Sequence, residues 1–168
     1  MFQEGELVIY GAHGVCRIVE QVQRLIDRKM VTYLALEPVG QGNSRFFVPA
    51  QNAAAMAKVK HILSRQELET ILDSPEVRTD GWIRDENQRK QAYRELMTGG
   101  DRTGLIRMVA TLHRHKSAQA ALGRRSHQCD ENFLHDAEKL LVGEVSAVLN
   151  LDADQARSYL WDKLKEDG

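Results

Sequence analysis

The stretch "SRQELETILD", residues 64–73, decides how the chain divides. Ser64 followed three residues later by Glu67 is a capping box, the reciprocal pair that satisfies two backbone N–H groups at a helix start. Behind it, Leu68, Ile71 and Leu72 return on one face at the helical period. Most of the chain before this point lacks that period, and most of the chain after it has it.

Upstream, "ELVIY", "GVCRIVEQV", "MVTYLALEPV" and "SRFFVP" are short runs rich in Val, Ile, Tyr and Phe, the composition of strands. Turn residues separate them: Gly11 and Gly14, then Asp27-Arg28-Lys29, then Gly40-Gln41-Gly42-Asn43-Ser44. As a strand, "TYLALE" puts Leu34 and Leu36 on one face and Tyr33, Ala35 and Glu37 on the other. Four or five such strands in roughly 50 residues suit a small bent sheet or barrel, which limits open edges. Pro49 ends the last strand, and "AQNAAAMAKV" turns into a short helix.

Downstream, "SPEVRTDG" (74–81) breaks the chain with Pro75 and Gly81. A helix over 82–98 is expected to follow and to stop at Gly99-Gly100. Asp101 caps the next, over 102–122, whose stripe is Leu105, Met108, Val109 and Leu112. Gly123 ends it. "NFLHDAEKLLVGEVSAVLN" repeats apolar residues at helical spacing from Leu134 to Val145 and beyond. Asp152 caps a last helix, "ADQARSYLWDKLKE", in which Trp161 sits at the edge of the core stripe. The fold class is therefore α+β: a small bent β-sheet or barrel domain, residues 1–58, followed by an all-helical domain, residues 59–168.

With 42% hydrophobic and 28% charged residues the composition is that of an ordinary globular protein. The net charge of −1 hides an uneven distribution. From Arg102 to Cys129 there is no Asp or Glu. The same stretch holds six Lys or Arg: Arg102, Arg107, Arg114, Lys116, Arg124 and Arg125. Two readings fit: an anionic partner met by one face, or a solvated surface whose acidic partners lie elsewhere in the fold.

Trp82 stands among polar and charged residues, with Arg84, Arg89 and Lys90 nearby. It is either a local cap folded over Pro75 or Val77, or an aromatic held for a partner. Arginines that grip phosphate beside an apolar wedge suit a nucleic acid.

Other classes find little support. Cys16 and Cys129 fit no CxxC pattern and read as free thiols in a reducing compartment. No run approaches the roughly 18–20 apolar residues of a membrane span, and the N-terminus has acidic residues where a signal peptide needs basic ones. The expected location is the cytoplasm. There is no P-loop, GxGxxG, GxSxG or HExxH. His113 and His115, two apart, point to different faces of a helix and cannot share a metal. No enzyme activity, metal, cofactor or small-molecule substrate is expected.

The pieces in order resemble the CarD/CdnL family of bacterial RNA polymerase-binding transcription regulators. "FQEGELVIYGAHGVCRI" resembles its opening, with Gly5, Glu6, Val8, Tyr10 and Gly14 at the matching places. "YLAL" and "FFVPAQNA" resemble later strands and a Val-Pro exit at Val48-Pro49. Trp82 falls near the family's tryptophan ahead of a basic helix, and "LMTGGD" and "DAEKLLVGE" follow in order.

The resemblance implies a Tudor-like β domain, shared with the transcription-repair coupling factor, that binds the RNA polymerase β subunit. It implies a helical domain that touches promoter DNA at the upstream edge of the melted bubble, with Trp82 as a minor-groove wedge and Arg84 as its nearest basic support. Arg24 falls at a polymerase-facing position. Some relatives carry an Arg just before the Val-Pro pair; here that residue is Phe47, and Arg45 lies two residues earlier on the same strand face. The expected polymerase contacts are thus Arg24, Arg45 and Phe47. Relatives place Lys and Arg early in the next-to-last helix, where this chain has Glu131, Asn132 and Asp136, so the block from 102 to 125 has more phosphate contact to supply. The expected DNA contacts are Trp82, Arg84, Arg89, Lys90, Arg114, Lys116, Arg124 and Arg125. The competing reading is a protein-binding module without DNA contact. It draws on the acidic last third, with ten Asp or Glu against four Lys or Arg from residue 130 on.

Overall fold

A computed structural model describes residues 2–40 and 43–165. The chain forms two units, Met1–Ile62 and Leu63–Gly168. Gln41 and Gly42 of the expected turn, and Glu166 of the expected last helix, lie outside the described residues.

The first unit is an antiparallel sheet in the order β4-β3-β2-β1-β5. Its strands are β1 (Leu7–Tyr10), β2 (Val15–Ile26), β3 (Lys29–Pro38), β4 (Phe46–Pro49) and β5 (Val59–His61). A short helix, α1 (Ala53–Met56), connects the last two, and Asn52 caps it by accepting from the Ala55 N–H. Strand β2 is longer than the sequence reading expected, and β3 starts one residue earlier. They pair as far as Ile26 and Lys29, and the two-residue turn between them has positive φ at both Asp27 (50°) and Arg28 (66°). That is the twist-matched turn a tight hairpin needs. A register shift between Ile18 and Glu20 bends the sheet, since an extra residue on one strand raises its local twist. The bend closes the sheet over Val8, Ile18, Leu34, Leu36 and Val48, all buried. Ala35, expected on the open face, is also fully buried. β5 pairs with β1 through Val8↔His61 and Tyr10↔Val59, so the sheet unit runs past residue 58, where the sequence reading ended it.

The second unit is helical: α2 (Arg65–Asp73), α3 (Glu86–Gly99), α4 (Arg102–Ala121), α5 (Gln128–Leu149) and α6 (Ala153–Lys165). The capping box forms as the sequence implies. Ser64 Oγ accepts from the Glu67 N–H, and Glu67 accepts from the Ser64 N–H. Asp101 and Asp152 cap α4 and α6 by accepting from the Gly104 and Gln155 N–H groups. Gly100 ends α3 with φ 80°, a left-handed conformation that costs glycine little. A Cβ at Gly104 would press on the capping Asp101 carboxylate and sit 2.7 Å from a Leu96 methyl, so those side chains would have to shift.

α4 lies at the centre of the unit. Between Leu105 and Leu112 all residues but Arg107 are buried. The expected stripe is therefore only part of its buried surface, which includes Ile106, Ala110 and Thr111 as well.

One boundary differs from expectation. α3 starts at Glu86, not at Trp82, because Asp85 takes the cap position and accepts from the Gln88 N–H at 2.9 Å. Trp82 thus sits in an irregular strap ahead of the helix.

Tyr93, 2% exposed, packs edge-on to Phe133. Its hydroxyl is buried without a hydrogen-bond partner among the described residues. Burial pushes its pKa up to about 12. Tyr93→Phe is expected to raise stability by about 1 kcal/mol, since an unsatisfied buried hydroxyl is removed at constant shape. Urea unfolding measures it, and a loss of about 1 kcal/mol instead would reveal a partner for the hydroxyl.

Candidate functional site

In the first unit, the β2–β3 hairpin runs beyond its neighbours and leaves apolar side chains at its tip. Leu25 is 68% exposed, Met30 56% and Ile26 42%. Leu25 and Met30 are cross-strand partners. By strand alternation they continue the core face past the end of the sheet. Arg24 and Ile26 share the opposite face with Phe47, which is 43% exposed. The Arg24 guanidinium lies over the Phe47 ring at 5.3 Å. Two of the three residues expected to face the polymerase are therefore in contact. The third, Arg45, binds Glu37 at 2.7 Å and Glu20 at 2.8 Å. The hydrogen bonds it donates to Glu37 are the main cause that raises its pKa.

In the second unit, the strap that carries Trp82 is tied to α4 by three side chains. The Gly81 N–H donates to Thr111 Oγ1 at 3.2 Å, Arg107 donates to the Asp80 carbonyl at 2.9 Å, and Arg114 donates to the Thr79 carbonyl at 3.3 Å. One turn further along α4, His115 stacks on the indole with ring centroids 3.5 Å apart and planes within 12°. The Arg89 guanidinium also lies over the indole, 4.4 Å from the ring centroid. Trp82 is half-buried and packs against the helical core. It packs against the cluster that includes Val77, as the cap reading allowed, while its faces meet His115 and Arg89. Burial holds the His115 imidazole below its ordinary pKa, against the nearby Asp130 carboxylate, which raises it, and with Arg89 adding to the fall.

Arg89 is a correction to the expected DNA contacts. It is 2% exposed. It makes a two-point ion pair with Asp130 of α5, at 2.9 and 3.0 Å, and donates to the Ile83 carbonyl at 3.0 Å. It clamps α3 and the strap to α5 and has no face left for phosphate. Two other cations are matched by carboxylates: Lys90 by Glu86 at 3.4 Å, and Lys116, loosely, by Glu131 at 4.0 Å. Within the basic block, Arg102 turns inward to the buried Glu144 at 3.1 Å, so the block is not one continuous basic face. The reading of acidic partners elsewhere in the fold holds for Arg102 and Lys116.

Part of the expected set lines one cleft of about 430 Å³. Trp82, Arg84, Arg89 and Arg125 line it together with His115, Gln119, Ser126 and His127. Arg84 and Arg125 are exposed, and no ion pair engages them among the described residues. Arg124 is exposed in the same turn but does not line the cleft. Arg114 faces another groove, with His113 and Trp161. The sequence reading missed His115, Gln119, Ser126 and His127. Only the spacing of His115 from Thr111, four residues on the same helix face, was available as a signal.

His113 and His115 face different aromatic partners, Trp161 and Trp82, as their spacing required. No group of three or more His, Cys, Asp or Glu able to hold a metal ion is found among the described residues. Cys16 and Cys129 are free thiols, and burial pushes the Cys16 pKa up to about 11. No helix of the described residues is long and apolar enough to cross a membrane.

Comparison with known families gives one match. Residues 2–60 match the family model described as "CarD-like/TRCF RID domain". No curated protein matches the chain. The match spans the sheet unit just described and supports an RNA polymerase-interacting role for it.

Proposed function

We propose that this chain, whose residues 2–60 match the CarD-like/TRCF RID domain, regulates transcription by holding RNA polymerase while it meets promoter DNA. In this reading the sheet unit binds the polymerase β subunit through the hairpin surface of Arg24, Ile26 and Phe47. The helical unit contacts DNA at the upstream edge of the bubble and stabilises the open complex. It is a binding protein rather than an enzyme. The family match over the sheet unit is the observation that carries the reading. The cleft of Trp82, Arg84 and Arg125 supports its DNA half.

A bound protein shifts promoter opening only by its different affinity for closed and open DNA. The stack on His115 and the clamp by Arg89 keep Trp82 from moving freely. A wedge held in place does not lose rotamer freedom on binding. Unstacking a base step costs a few kcal/mol, less at a fork that polymerase has already distorted, so a wedge there favours the open state. Tethering through the sheet unit raises the local concentration, so each DNA contact can be weak.

The test is the lifetime of open complexes formed by a bacterial polymerase on a short-lived promoter. The wild-type chain should lengthen it, and Trp82→Ala should remove most of that gain, about tenfold or ~1.4 kcal/mol, with polymerase binding intact. A second reading, a polymerase-binding module without DNA contact, draws on the pairing of Arg89, Lys90 and Lys116 with carboxylates. It predicts no salt-dependent binding of the chain to forked DNA, whereas phosphate contacts by Arg84 and Arg125 predict a steep dependence.

A further inference from the structure

We propose that the cleft beside Trp82 seats one unpaired nucleotide of a DNA strand; this rests on the reading that the helical unit meets promoter DNA. Its volume of about 430 Å³ lies in the range of small-ligand sites, roughly 300–1,000 Å³. A duplex cannot enter a space of that size, but a single nucleotide turned out of its stack can.

The chemistry of the walls divides as a nucleotide does. The rim carries cations. Arg84 and Arg125 are exposed and engaged by no carboxylate among the described residues. The one acid at the rim, Glu86, is already matched by Lys90. α5, a helix of 22 residues, starts at this wall, and its cap residue His127 makes no side-chain capping bond. Its first N–H groups therefore add to the field that favours an anion. The carboxylates of its first turn are matched elsewhere, Asp130 by Arg89 and Glu131 by Lys116. Ser126 lines the same cleft, and its Oγ, shut off from water, has no hydrogen-bond partner among the described residues.

The other wall is the Trp82–His115 stack, with Gln119 3.4 Å from the His115 ring nitrogen. With His115 on one face of the indole and the Arg89 guanidinium over the other, the ring that can hold a base by its face is His115, and the Gln119 amide offers both a donor and an acceptor to the base edge. The phosphate goes to Arg84 and Arg125, and the base goes to the aromatic wall.

The experiment is fluorescence anisotropy of the full chain with two labelled DNAs of one sequence, a blunt duplex and a fork with one strand unpaired. The fork should bind about tenfold tighter, a difference of ~1.4 kcal/mol. Arg125→Ala should abolish that preference by weakening fork binding more than duplex binding, and Arg124→Ala, outside the cleft, should keep it. Equal binding of fork and duplex overturns the nucleotide seat and leaves the DNA reading standing. Absence of binding to either DNA overturns both. Tight binding of deoxynucleoside monophosphate without any preference for the fork overturns the assignment to a DNA strand.

Discussion

Asp130→Ala should cost the helical unit about 3–5 kcal/mol, the range for breaking one side of a buried ion pair. The pair is buried on both sides, with side chains 3% and 4% exposed for Arg89 and Asp130. Removal of the carboxylate leaves a guanidinium that cannot lose its proton with only carbonyls, at Ile83 and Arg84, and the face of Trp82 as partners. Domain stabilities are about 5–15 kcal/mol, so the loss is a large share of the total. Urea unfolding of the variant should show a lower midpoint at an unchanged slope. The double substitution Arg89→Met with Asp130→Leu should recover most of the loss, because what hurts is the unmatched charge and not the absence of the pair. A single substitution that costs less than about 1 kcal/mol would mean that water reaches the guanidinium, as it does at a surface pair. The same variant bears on function. The clamp holds α3, the strap and α5 together around Trp82, so its loss should loosen the indole and weaken DNA binding as well.

That clamp marks where the sequence stopped being legible. The signals that worked were local ones. Ser64 with Glu67, Asp101, Asp152 and Gly100 each act within one turn of the helix they start or stop, so their spacing states their role. The sheet class could be read from strand composition and turn residues in the same way. The start of α3 failed because the helix was run on directly from the break at Gly81, whereas the structure caps it at Asp85. Asp85 takes the cap because the strap ahead of it is held by Arg107, Thr111 and Arg114, about 30 residues downstream. Arg89 failed for the same reason. Its neighbours in sequence are charged and exposed, while the residue that buries it is Asp130, 41 positions away. The basic block is the intermediate case. Its charge was countable, but Glu144, which turns Arg102 inward, lies on another helix. Trp82 stood out among its polar neighbours, yet its stack depends on His115, which composition alone marks only as one histidine among six.

Phe47→Asp should weaken polymerase binding by about 30-fold or more, the roughly 2 kcal/mol of an aromatic hot spot. Phe47 is a good candidate for such an anchor because it is 43% exposed yet held by Arg24 over its ring. It has less conformational freedom to lose on binding than a free side chain. Ile26 on the same face, with Leu25 and Met30 on the other, makes the hairpin tip apolar on both sides. A strand end left that apolar and exposed marks a surface meant for a partner. A carboxylate in place of the ring removes the apolar contact and would pair with Arg24, which withdraws both expected contacts at once. Fold stability should change little, since Phe47 is on the outer face and the core beneath β4 is carried by Val48, 1% exposed. Arg45→Ala should have a smaller effect, because the arginine already answers Glu20 and Glu37 and any partner has to share it. Titration of labelled polymerase with each variant separates these cases. Equal loss in both would move the contact from the hairpin tip to the charged row of Glu20, Glu37 and Arg45. No loss with Phe47→Asp would mean that the sheet unit holds the polymerase by a different face.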